Sequence, residues 1–161
     1  MIYFTSFVFT LLLAHIARAV PACGDVLSSQ KMYDTTYEDT EQLVVATYKV
    51  TWDATYDNAK GSTNSVACSN LTPKYPHFNS FPDFPFLGGA HDVHFNSPNC
   101  AKCWKLTETK THRFIYFTAI DASASFNIGK RAFTVLNGGT IGNGTLQAEA
   151  TPVAGHFCGF K

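Results

Sequence analysis

The sequence predicts a small, mainly β barrel with one helix and cystine staples. Three observations carry that expectation: short runs rich in β-branched and aromatic residues, a Pro- and Phe-rich middle, and cysteines spread along the chain. The run "YKVTWDATY" (Tyr48–Tyr56) alternates and reads as the first strand, and "SVACS" (Ser65–Ser69) as another short one. Across residues 70–99, prolines at 73, 76, 82, 85 and 98 exclude a helix and any long central strand. The many rings of that stretch predict an ordered, packed loop region with brief strands. "CWKLT" (Cys103–Thr107) and "RFIYFTAID" (Arg113–Asp121) read as strands, the second apolar enough to be buried on both faces. "NIGKRAFTVLNGG" (Asn127–Gly139) is the one good helix. Asn127 is its N-cap, Ile128, Ala132, Val135 and Leu136 lie on one side, and Asn137-Gly138 is the stop. "TLQAEATPV" (Thr145–Val153) alternates and closes the domain as a strand.

The chain start sets the expected compartment. Ile2–Ile16 is almost entirely apolar and is followed by Ala17-Arg18-Ala19. A short apolar run before a small-x-small site reads as a secretory signal peptide, residues 1–19; cleavage after Ala22 also fits. No later stretch reaches the roughly 18 apolar residues of a membrane helix, so a soluble exported protein is expected. Residues 20–47 form an N-terminal extension. Within it "YDTTYED" (Tyr33–Asp39) echoes "WDATYDN" (Trp52–Asn58): Asp34 matches Asp53, Thr36 matches Thr55 and Tyr37 matches Tyr56. One slot in a sheet accepts one copy, so the other is read as a flexible extension. The barrel domain is placed at 48–161. Charged residues are only 15% of the chain and the formal charge is zero, which excludes a basic nucleic-acid surface. Sequons at Asn70 and Asn143 can carry N-glycans in a eukaryotic secretory pathway.

There are five cysteines, Cys23, Cys68, Cys100, Cys103 and Cys158. Export implies oxidising conditions, in which they pair; Cys23 is the odd one out and is expected unpaired. Cys100 and Cys103 form a C-x-x-C. A structural zinc site needs a second close pair, and none exists. A thioredoxin-like couple opens a helix, whereas Cys103 opens a strand pattern. Bonding each other would close a strained ring, so each is expected to bridge elsewhere. His91, Asp92 and His94 in "GAHDVHF" contain metal-ligand types. On a strand, however, His91 and His94 point to opposite faces, which argues against joint ligation. No metal and no cofactor are expected.

Several stretches together carry a resemblance: "VACS" (Val66–Ser69), "KYP" (Lys74–Pro76), "FPDFPFLGGA" (Phe81–Ala90), "FNSPNCAKCWKLT" (Phe95–Thr107), "AIDASASFNIGKRAF" (Ala119–Phe133), "LNGG" (Leu136–Gly139) and the terminal "CGF". In order and spacing, from about Val50 to the end, the chain resembles the cerato-platanin family of small secreted fungal proteins. The resemblance implies a six-stranded double-psi β-barrel with one or two short helices, similar to the first domain of expansins, and the disulfides Cys68–Cys100 and Cys103–Cys158. The chain departs from the family pattern at His94-Phe95-Asn96-Ser97, where Gly-Trp-Asn-Ser is usual, and at Ala101-Lys102, where Gly-Thr is usual. The turn after Ser69 is shortened, and the extension carrying Cys23 is atypical.

The function the resemblance implies is non-catalytic. Family members bind oligomers of N-acetylglucosamine, loosen polysaccharide without cutting it and provoke plant defence. Expected partners are therefore chitin or another cell-wall polysaccharide and a plant receptor, and the groove positions are Tyr56, Asp57, Asn96, Ser97, Asp121 and Asn127. Two rival readings stand beside it. Inverting glycoside hydrolysis needs an acid and a base roughly 6.5–9.5 Å apart. Asp121 ends a strand, but Asp53, Asp57, Asp83, Asp92 and Glu149 offer no partner in a demanding pattern. Interfacial self-association into a hyphal coat would need an exposed apolar patch, for which Phe78, Phe81, Phe84 and Phe86 are the candidates.

Overall fold

The computed structural model describes residues 46–161. The expected signal peptide, its cleavage sites, the extension as far as residue 45 with Cys23, and the first copy of the repeat lie outside the described residues. Six strands close into one barrel: β1 (Thr47–Asp53), β2 (Leu87–Ala90), β3 (Lys102–Glu108), β4 (Phe114–Ala122), β5 (Phe126–Gly129) and β6 (Thr145–Val153). Their order around the barrel is β1-β5-β2-β4-β3-β6, with β1/β5 and β2/β4 parallel and the other neighbours antiparallel. Closure leaves no free sheet edge. The mainly β barrel that the sequence predicts, and the six strands and two staples that the resemblance implies, are what the chain forms.

Alternation explains the strands. Val50, Leu106, Ile115, Phe117, Phe126 and Ile128 point into the barrel core, while residues between them face outward or pack on a second layer. That second layer is the Pro- and Phe-rich region. Tyr56, Phe78, Phe81, Leu87 and Ile120 form a separate buried cluster outside the barrel. The region is ordered, as its rings predict, but Phe78 and Phe81 are buried rather than offered to an interface. Cys68–Cys100 closes this layer and Cys103–Cys158 pins the C-terminal turn to β3. Their sequence separations, 32 and 55 residues, correspond to about 4 kcal/mol each in the chain-entropy account.

Four local expectations fail. "SVACS" is no strand: 3-10 turns at Thr63–Ser65 and Ser69–Leu71 flank it. The Cys68 N–H donates to the Ile120 carbonyl and the Ala67 N–H to Asp121, so this backbone is satisfied outside any ladder. The first strand stops at Asp53 and continues as a 3-10 turn, Ala54–Asp57, with Asp53 capping the Thr55 N–H. His91 lies beyond the end of β2 rather than on a strand, packed on Tyr48, Phe126 and Trp104, and His94 sits in an exposed turn. The fourth concerns the helix. Helix α1 (Lys130–Leu136) begins two residues late, with Gly129 rather than Asn127 at the cap position, and Asn127 is in β5. Phe126 and Ile128 both enter the core, so a period of two wins there over the helical pattern. Ala132, Phe133 and Leu136 make the buried face and Val135 is half-exposed, while Asn137-Gly138 does end the helix, with Gly138 at φ +74°.

Candidate functional site

The site is built where β4 ends. The register between β2 and β4 slips between Gly88 and Gly89, so Gly88 pairs with Ala119 and Gly89 with Asp121. Such a bulge re-aims the side chain that follows it. Gly89 also pairs with Asn127 of β5, and Asn127 with Thr51 of β1. Thr51, Asn127, Gly89 and Asp121 therefore form one row across four strands. The third position is tight: a Cβ there would lie 3.0 Å from the Cβ of Ser123, which would have to give way.

Asp121 is a hydrogen-bonding hub. Its Oδ1 accepts the backbone N–H groups of Ala67 and Ala122, each at 2.9 Å, and its Oδ2 accepts the Tyr56 hydroxyl at 3.0 Å. The Tyr56 ring is buried beside Phe78, and burial, then the Asp121 charge and hydrogen bond, push its phenol far above the ordinary range. From Ala67 the chain of bonds continues: its carbonyl accepts the Asn96 N–H at 2.8 Å. Asn96 takes φ +50°, a conformation asparagine tolerates better than most residues, and its Oδ1 accepts the Asn70 N–H at 2.8 Å and the Ser69 hydroxyl at 3.1 Å. Tyr56, Asp121 and Asn96 are thus brought into one rigid network.

The other expected positions stand apart from that network. The Ser97 hydroxyl accepts the His94 N–H at 3.2 Å and fixes the turn that carries Asn96. Asn127 accepts the Thr51 hydroxyl at 3.0 Å, one strand beyond Gly89. Asp57 turns to α1 and accepts the Arg131 N–H at 3.2 Å, acting as a helix cap from far along the chain. Partial burial raises its carboxyl, against the lowering effect of that N–H and of the Arg131 and Lys130 charges. Sequence reasoning missed Phe95. Its ring is 76% exposed between His94 and Asn96, in a turn held by the bonds just described. The available signal was its place directly before the expected groove positions Asn96-Ser97, where the family pattern also carries a ring; a single Phe within polar text does not otherwise differ from a core ring.

Chemically this is a surface of fixed donors and acceptors. Both oxygens of Asp121 are engaged as acceptors within the fold. Four of the other carboxylates weighed as partners have local duties. Asp53 caps a 3-10 turn, Asp57 caps α1, Asp83 accepts the Thr118 hydroxyl at 2.7 Å and Asp92 pairs with Lys102 at 2.7 Å. Among the described residues no three His, Cys, Asp or Glu side chains gather as a metal site.

The family model for cerato-platanin matches residues 48–160. Allergen Asp f 15 of Aspergillus fumigatus is 45% identical over 113 residues, which cover 64% of this chain and 73% of the allergen. The crystal structure of cerato-platanin 2 from M. perniciosa is similar at a TM-score of 0.66 and 37% identity, covering 71% of this chain and 100% of the other. The solution structure of the fungal elicitor cerato-platanin is similar at a TM-score of 0.63 and 32% identity, with 68% and 95% covered.

Proposed function

The chain belongs to the cerato-platanin family, and on that premise we propose that it is a secreted, non-catalytic protein that binds chitin-type oligomers, loosens cell-wall polysaccharide and is perceived by a plant host. The observation that supports binding is the network Tyr56–Asp121–Ala67–Asn96, which fixes polar groups on the barrel surface beside the exposed Phe95 ring. Sugars offer hydroxyls and amides to such groups and C–H faces to such a ring. An open, polar surface of this kind binds weakly, in the range of about millimolar. The elicitor role rests on the family and on the relative whose structure is described as a fungal elicitor.

Calorimetric titration with chitin oligomers tests the reading. Saturable heat from the native chain, reduced several-fold in Phe95→Ala with an unchanged melting temperature, is the expected outcome. No heat at millimolar sugar would exclude chitin binding, and reducing ends released from chitin, cellulose or glucan and lost in Asp121→Asn would replace it with hydrolysis. A second reading, assembly at air–water interfaces, draws on different apolar side chains from those the sequence suggests. Phe114, Val135 and Phe157 are each about half-exposed. Surface tension that falls with concentration, and less so in Phe157→Ala, is its test.

A further inference from the structure

We propose that the aromatic pocket between the Pro82–Phe86 loop, the start of β4 and the C-terminal turn binds an apolar organic cation of the quaternary ammonium type. This site is independent of the sugar surface. The pocket has a volume of about 510 Å³, within the range that takes small ligands. Its walls include Phe84, Phe86, Phe114, Tyr116 and Phe157. Tyr116 and Phe157 stack at 4.9 Å and Phe114 meets Tyr116 edge-on at 5.7 Å, so the rings are held rather than loose. Aromatic faces carry negative potential. The Phe114 ring already takes a cation: the Lys105 ammonium sits 4.5 Å from its centroid.

Among the described residues, the charge-bearing residue in the lining is a carboxylate, Asp83, while Lys105 and His156 stand behind the lining on the Phe114 and Phe157 rings. Asp83 Oδ2 accepts the Thr118 hydroxyl, while Oδ1 is closed to solvent and has no hydrogen-bond partner among the described residues. An ionised carboxylate so placed lacks a counter-charge, and a cation in the pocket supplies it. Burial, against the hydrogen bonds from Thr118, raises this carboxyl to about 7, so that counter-charge is needed only above neutrality. The same geometry selects the kind of cation. A metal ion would need several oxygen ligands, and a primary ammonium would need an accessible acceptor; Oδ1 presents no surface to either. A quaternary ammonium needs neither and is held by ring faces and charge alone. The other titratable groups at the walls are Tyr116, Lys105 on the Phe114 ring and His156 against the Phe157 ring, and none of them bonds Asp83.

Choline and 3,3-dimethylbutan-1-ol, which replaces the nitrogen with carbon, are the probes. Each is titrated into the native chain and read by NMR, at pH about 5 and about 8.5, on either side of the Asp83 titration. Choline is expected to shift Phe114, Tyr116 and Phe157 and to bind about tenfold or more tightly at the higher pH. The alcohol should bind more weakly and without a pH step. Asp83→Asn should abolish the step, which separates Asp83 from His156. Phe157→Ala removes a half-exposed ring, leaves the fold intact and should weaken choline binding several-fold. The proposal is overturned if choline leaves these resonances unmoved at the higher pH, if the alcohol binds as tightly, if the pH step survives in Asp83→Asn, or if Phe157→Ala binds choline as the native chain does.

Discussion

Asp121 spends its carboxylate on three donors that come from three places in the chain. Replacing it with Ala strands the Tyr56 hydroxyl and the Ala67 N–H, an expected loss of about 2–3 kcal/mol by chemical denaturation; Asn, which keeps one acceptor, should cost about half as much. Two other carboxyls set opposite pH slopes. Asp83 is mostly buried and raised to about 7, so the unfolded chain ionises first, near pH 4, and the fold keeps its proton until about 7. Its contribution favours the fold in acid, and about 2–4 kcal/mol of stability is lost as pH rises across that window. Glu108 is the reverse. Desolvation raises its carboxyl, but the Thr111 hydroxyl and the backbone N–H groups of Lys110 and Thr111 outweigh that and hold it below the usual range. The stability it contributes is present above its unfolded value and is lost as pH falls through the depressed one. Thermal melts against pH are expected to show the loss above about pH 4 in the native chain and a flatter curve in Asp83→Asn; an unchanged curve would remove Asp83 as its cause. Asp121 was legible in the sequence because it ends an apolar strand. Its tie to Tyr56, 65 positions away, was not, since no local pattern encodes a partner brought in by the fold.

Among the elements, the longer strands were read correctly: β3 and β4 fall within a residue of the runs that predict them, β4 from its nearly continuous apolar text, and β6 falls where its alternation puts it. The errors are all short. Strand β5 has four residues, and its two core positions sit inside a text that also fits a helix. The real cap of α1 is invisible locally, because Gly129 precedes the helix without a side-chain cap and Asp57 supplies one from 74 positions away. Asp57→Ala should therefore destabilise the fold by about 1 kcal/mol, as loss of an ordinary cap does, with little effect on sugar binding. Equal stability would reduce Asp57 to a surface carboxylate. The outer layer matters more. Phe78 is fully buried and fills the space beside Tyr56 and Gly61; Phe78→Ala should cost about 3–5 kcal/mol. Because Tyr56 leans on that ring, sugar affinity should fall with it, measured below the melting transition.

At the scale of the whole molecule, a closed barrel supplies rigidity, and two staples hold its outer layer and chain end. The pairing of the cysteines followed from the family pattern; the C-x-x-C spacing alone left it open. The barrel presents two separate features. One is the polar network around Asp121 and Asn96, flanked by Phe95. The other is the aromatic pocket with a carboxylate in its wall. Sugar binding depends on the first. Its most direct test is an NMR titration of the folded, oxidised chain with a chitin oligomer, mapping which backbone amides move. Saturable shifts gathered at Phe95, Asn96, Ser97, Ala67 and Asp121, with the aromatic pocket silent, are the expected result. Shifts scattered over the barrel, or none at millimolar sugar, would contradict it.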